Sequence, residues 1–149
     1  MGTRSGWLHT AAAIFATAVI FNYAWEMAQS PLYRDQAALP ARAWHCFIAS
    51  LGDGVIVVFI WAAGAYCFRA HTWFQHPRAR GYWLMLFAGL FIAVLIEWIA
   101  LSAGRWSYTS RMPRLGELGL VPVLQMLVLP PIIFATVART QRRLSKGDA

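Results

Sequence analysis

Acidic side chains are scarce in this chain: 149 residues carry six Asp and Glu against 13 Lys and Arg. Charged residues of either sign make up 13% of the sequence, where soluble domains carry roughly 25%. So little charge excludes an ordinary solvated surface. The only two cysteines, Cys46 and Cys67, fall about 31 Å apart along one helix at 1.5 Å per residue, which excludes a disulfide between them. There is no His-x3-His pair, Cys-x-x-Cys site, Gly-rich phosphate loop or Gly-x-Ser-x-Gly elbow. Zinc, redox, nucleotide and hydrolase signatures are therefore missing, and no metal or other cofactor is expected. A haem would need facing axial ligands, whereas His9, His71 and His76 lie near one surface.

Apolar sequence is what the chain has in excess. Its hydrophobic content is 59%, with eight Trp, nine Phe and five Tyr. Four stretches, about Leu8–Met27, Phe47–Phe68, Trp83–Ala103 and Leu118–Ala138, each match the roughly 20 residues that cross a hydrocarbon core. The expected fold is all-α: a single domain, residues 1–149, forming an integral membrane bundle of four transmembrane helices. Arg4 ahead of the first run also fits a secretory signal, but the run extends through Asn22, Trp25 and Glu26 without a small-x-small cleavage site. A retained helix is expected.

Basic residues set the expected orientation. Arg4, Arg69, Arg78, Arg80, Arg139, Arg142, Arg143 and Lys146 fall on one side of a four-span chain; Arg34, Arg42, Arg105, Arg111 and Arg114 fall on the other. Eight against five favours both termini in the cytoplasm of a bacterial inner membrane. The net charge of +7 is thus a membrane pattern and gives no reason to expect nucleic acid. The basic run Arg139–Lys146 suits anionic headgroups. Trp7, Trp73 and Trp83 at one interface, with Trp44 and Trp106 at the other, read as aromatic belts.

Intramembrane polar residues segregate by depth. Asn22, Glu26 and Gln29 share a face near the outer end of the first helix. Asp53 follows His45 by about two turns, Glu97 precedes Arg105 by about two turns, and Gln125 lies about two turns into the fourth helix. All four helices therefore place polar groups in the outer half, and the inner halves hold no acidic residue. Carboxylates in hydrocarbon are costly unless they pair, stay protonated or face a cavity. Asp53 lies between Gly52 and Gly54, which let a helix or ligand approach closely. The outer loops, rich in Tyr, Trp, Arg and Pro, suit an ordered lid. Pro122, Pro130 and Pro131 lead one to expect a broken fourth helix.

The series Trp25-Glu26-x2-Gln29-x-Pro31-Leu32-Tyr33, His45-Cys46-x6-Asp53, Arg105-Trp106-x-Tyr108-x3-Met112-Pro113 and Gly119-Leu120-x-Pro122-x2-Gln125 resembles a group of small bacterial four-span membrane proteins. That likeness covers nearly the whole chain and carries no activity with it. In the second half, Glu97, Gly104-x-Trp106-x-Tyr108 and Leu120-Val121-Pro122 resemble carotenoid hydratase and lycopene cyclase type membrane proteins. The resemblance implies protonation of polyene or isoprenoid chains by membrane-embedded acids. The chain departs from it in being shorter and in lacking a Pro-x-Glu-Glu motif.

Three functions follow as expectations. The first is an enzyme acting on a membrane lipid or hydrophobic small molecule by acid–base chemistry. Asp53 would be the acid, Glu97 its partner as base or stabiliser of positive charge, His45 a proton relay and Glu26 a further catalytic carboxyl, because an acid in an apolar site can donate a proton. Trp98 and Trp106 would stabilise a cation, with Asn22, Arg105, Tyr108 and Gln125 completing the binding site. The second is a proton or ion pathway, which needs a homo-oligomer to supply a polar track through the apolar inner half. The third is a structural subunit whose polar knot only specifies packing. On the orientation, Cys46 should react with an impermeant thiol reagent from the periplasmic side and Cys67 only from the cytoplasm; the reverse pattern overturns it.

Overall fold

In hydrocarbon every backbone donor and acceptor must be satisfied within the protein, so the apolar runs can only be helices. A computed structural model describes residues 4–34 and 37–147. It contains α1 (Arg4–Gln29), α2 (Leu39–Phe68), α3 (Arg78–Ser102) and α4 (Leu120–Gly147), with a two-residue hairpin of β1 (Arg114–Leu115) and β2 (Leu118–Gly119) before α4. All four helices are long and apolar enough to cross a membrane, and the chain is accordingly a multi-pass membrane protein. They outrun the apolar stretches because hydropathy marks the hydrocarbon, not the helix. Pro40 stands in the first turn of α2, where no N–H is needed, and lets the helix begin before Phe47. Arg139, Arg142 and Arg143 simply prolong α4 beyond Ala138.

α1 packs along α2 and α4, and α4 along α3, while α2 and α3 barely touch. The bundle is thus a ring left open between α2 and α3. At the end that carries the termini, the gap is closed from within by the α2–α3 connection. Trp73, expected in an interfacial belt, is instead buried there. Its ring lies so close to α2 and α3 that a Cβ on Gly64 would come within 2.3 Å of it and one on Gly81 within 3.1 Å. Its indole N–H donates to the Trp61 carbonyl (3.0 Å), which satisfies the polar edge of a buried ring. Ile14, Val57, Ile60, Met85, Ile133 and Phe134 fill the rest of this end, and none is more than 1% exposed.

α4 is continuous, contrary to the expected break. Pro122 falls in its first turn, where the missing donor costs nothing. Pro130 and Pro131 lie inside the helix and free the carbonyls of Met126 and Leu127, four residues back. The α3 backbone covers the first of these: a Cβ on Gly89 would come within 2.2 Å of the Met126 oxygen. Such small-residue contacts are how membrane helices approach closely. Gly89→Ala should therefore push α3 off α4 and cost about 1–3 kcal/mol of stability, as overpacking does. Gly52→Ala, with nothing within 4 Å of the added carbon, should leave detergent unfolding unchanged. Equal behaviour of the two variants would remove this contact from the account.

Candidate functional site

At the opposite end the interior turns polar. Asn22, Gln29, Ser50, Glu97 and Gln125 are all buried there. Gln125, early in α4, sits at the centre. Its Nε2 donates to Asn22 Oδ1 (2.8 Å), Asp53 Oδ2 (2.9 Å) and Glu26 Oε1 (3.2 Å), so two hydrogens are divided among three acceptors from α1 and α2. Gln29 Nε2 donates to Glu26 Oε1 (2.8 Å) and to Gln125 Oε1 (3.1 Å), while Trp25 Nε1 donates to Gln29 Oε1 (3.2 Å). Asn22 Nδ2 is spent on the Ala18 carbonyl (2.8 Å). Glu26 and Asp53 thus share one donor nitrogen, and their hydrogen-bond partners among the described residues are neutral amides.

Glu97 belongs to a second knot. The Tyr108 hydroxyl lies 2.5 and 2.6 Å from its two carboxyl oxygens, and the Gly119 N–H donates to Oε2 (3.1 Å). Trp106 Nε1 donates in turn to the Tyr108 oxygen (3.0 Å). A Cβ on Gly119 would come within 2.8 Å of the phenol, so only glycine lets Tyr108 reach the carboxyl. Burial, reinforced by Glu97, holds the Tyr108 phenol above the ordinary tyrosine range, and burial does the same for Tyr33.

The loops that carry these residues are zipped together. Tyr33 and Tyr108 form an antiparallel bridge, the Arg34 N–H donates to the Ser107 carbonyl (3.0 Å), and the Thr109 N–H donates to Leu32 (2.9 Å). Arg34 Nε adds a bond to the Tyr108 carbonyl (2.8 Å). The expected ordered lid is present, built from main-chain bonds. At the end of α3, Gly104 adopts φ 63°, with N–H bonds from Gly104 to Leu101 and from Arg105 to Ala100. This left-handed cap turns Arg105 and Trp106 back over the bundle.

Between α2 and α3, beneath this lid, is a cavity of about 780 Å³. Glu26, Asp53, Glu97 and Gln125 reach its wall, and Arg42, His45 and Arg105 line it as well. Ile48, Ile96 and Ile99 line the cavity and are exposed, at the gap where α2 and α3 barely touch. The cavity therefore opens sideways at membrane depth as well as towards the loops. Gly52 lines it without a neighbour, whereas Gly54 receives Phe15 and Val19 of α1. The two glycines around Asp53 thus serve a cavity and a helix contact respectively.

Most of the residues singled out from the sequence converge here, with three departures. Trp98 is 64% exposed and points away from the cavity, because one residue beyond Glu97 is a rotation of about 100° around the helix. Asn22 stands behind Gln125 and does not reach the cavity, and Tyr108 supports the wall from behind Trp106. Trp106, read as a belt residue as well as a site residue, is half-buried at the cavity. Gln29, Tyr33 and Arg42 were missing from the candidate set. Gln29 had a signal, its place three residues after Glu26 on one helix face; the Gly119 N–H, a backbone donor, had none. Cys46 is buried yet lines the cavity, so thiol reagents must enter through it. Among the described residues, no three His, Cys, Asp or Glu side chains converge as a metal site requires. Comparison with protein-family models, with curated proteins and with solved structures finds no match.

Gln125 is the amide on which the first knot rests. Gln125→Leu should leave the acceptors of Asn22, Glu26 and Asp53 without their shared donor and destabilise the protein by about 1–3 kcal/mol. Thermal unfolding in detergent reads this out, and an unchanged midpoint would deny the amide its structural role.

Proposed function

We propose that this protein is a bacterial inner-membrane enzyme that performs acid–base chemistry on a lipid or isoprenoid-type substrate. The observation that carries the proposal is the Glu26–Asp53 carboxyl pair. It is held by neutral amides on the wall of a cavity that opens sideways at membrane depth. Two carboxyl groups that share one donor nitrogen, with no cation bonded to either among the described residues, can pass one proton as acid and base. An apolar chain entering between α2 and α3 meets that proton without crossing a polar surface.

Isomerisation and cyclisation need no co-reactant, and hydration needs only water. Asp53 gives its proton to a carbon–carbon double bond; a C–H bond forms, the π bond is lost, and a carbocation and a carboxylate result. Glu26 and Asp53, as a pair, take back a proton from a neighbouring carbon, and a new double bond forms. The sum is isomerisation or, where a second double bond attacks the cation first, cyclisation. Capture of the cation by water, which forms a C–O bond and gives up one proton to the carboxylate, gives hydration. Of the two roles expected of Glu97, base or stabiliser of positive charge, the second suits its place. Fixed by Tyr108 and Gly119, it supplies negative potential to the cation but is not bonded to Asp53, and the Trp106 ring beside it adds a π surface. Trp98 has no part.

The apolar packing of the terminal end supports this reading over an ion pathway. Among the described residues, no acidic side chain or polar track continues from Asp53 through Val57, Ile60, Leu129 and Ile133. With both termini in the cytoplasm, the cavity falls in the periplasmic half of the bilayer.

Wild type and Asp53→Asn, expressed at equal levels in a host supplied with isoprenoid precursors, should give different apolar extracts by mass spectrometry. The wild type should yield a product isomeric with, or one water heavier than, its precursor, and the variant should lose at least about a hundred-fold in yield, as removal of a general acid does. Identical extracts would withdraw isoprenoid chemistry.

A further inference from the structure

The cavity is graded along its length, and the gradient describes a ligand. On α2, Arg42 and His45 stand nearest the lid, Asp53 follows about 16 Å and 12 Å deeper respectively at 1.5 Å per residue, and Ile56 lies beyond it. On α3 the order repeats: Arg105 beyond the helix end, Glu97 about two turns in, Ile96 and Ala93 further down. Basic groups therefore line one end, carboxyls the middle, and apolar side chains the floor and the sideways opening. A neutral hydrocarbon has no use for the basic end. Inorganic phosphate has no use for the floor.

We propose that the cavity binds an amphiphile with an anionic, phosphate-class headgroup, its head held by Arg105 and Arg42 beside His45 and its chain passing Asp53 towards the opening between α2 and α3. The inference rests on the reading of the cavity as a substrate site and names the substrate class. Arg105 is exposed, and its main chain is fixed by the α3 cap, so its side chain starts from a set place beside the cavity. Its planar guanidinium fork suits two oxygens of one phosphate. The separation of head and acid sets the site of reaction: the reacting carbons lie roughly 12–16 Å from the headgroup by helix rise, in the chain and not at its attachment. A diphosphate or phosphate ester would therefore keep its head through the reaction.

Native mass spectrometry of the detergent-solubilised full chain tests this with dioleoyl phosphatidic acid and dioleoylglycerol, which differ only in the head. Wild type should retain the phosphatidic acid about ten-fold more tightly, the worth of a charge-assisted contact. Arg105→Gln, a surface change, should reduce that preference to about two-fold or less, and Arg42→Gln should lower it further. Gly52→Phe, which fills the cavity, should abolish retention of both lipids. Asp53→Asn should bind phosphatidic acid as wild type does, so failure of the acid–base chemistry is distinguishable from failure of this binding. Equal retention of the two lipids overturns the proposal. So does a preference that survives Arg105→Gln but is lost in Arg142→Gln with Arg143→Gln at the other end. Displacement of the lipid by millimolar inorganic phosphate would show a site for the free anion and overturn it too.

Discussion

A single primary amide ties the bundle together where it is least apolar. Gln125 reaches from α4 to two residues of α1 and one of α2, and its oxygen accepts from α1 in return. In hydrocarbon there is no water to replace those bonds, so the register of three helices is fixed against one side chain. Everything else in the site follows from that register. It brings Glu26 and Asp53 onto a common donor, leaves Gly52 facing open space, and puts the start of α4 where the Gly119 N–H can meet Glu97.

The second constraint is the unequal contact around the ring. α1 and α4 carry the polar amides that draw their neighbours inward, and α2 and α3 have no such tie to each other. Their polar residues face a shared space and are satisfied from other directions: Asp53 by α4, Glu97 by the lid. A cavity of this kind is not a packing defect. Its walls hold buried carboxyls whose hydrogen bonds offset the cost of keeping them there.

The sequence made the four helices and the polar half legible, because apolar length and polar depth are one-dimensional properties. It also made Asp53, Glu97 and Gln125 stand out, since each is expensive in a membrane. Partnership was harder to read. Asp53 and Glu97 suggested a pair by type and depth; the structure pairs Asp53 with Glu26, because α1 packs on α2 and α3 does not. Helix phase decided Trp98: its rotation of about 100° from Glu97 is fixed, but which of the two faced the cavity depended on which face of α3 met α4. Prolines misled for a related reason. Whether Pro130 and Pro131 break a helix depends on whether another backbone covers the freed carbonyl, and Gly89 does so from 37 residues away in sequence.

Trp73 has a reach beyond its own end of the bundle. An indole held between Gly64 and Gly81 is a spacer between two stiff rods, and the separation it sets at one end is carried to the other by helices of 30 and 25 residues. The gap lined by Ile48 and Ile99 thus begins from a separation that this ring sets at the opposite end of the same two helices. Trading the size of that spacer against the two glycines would reset the separation of α2 and α3. Glu26, Asp53 and Glu97 would stay untouched, because they lie at the other end of the bundle.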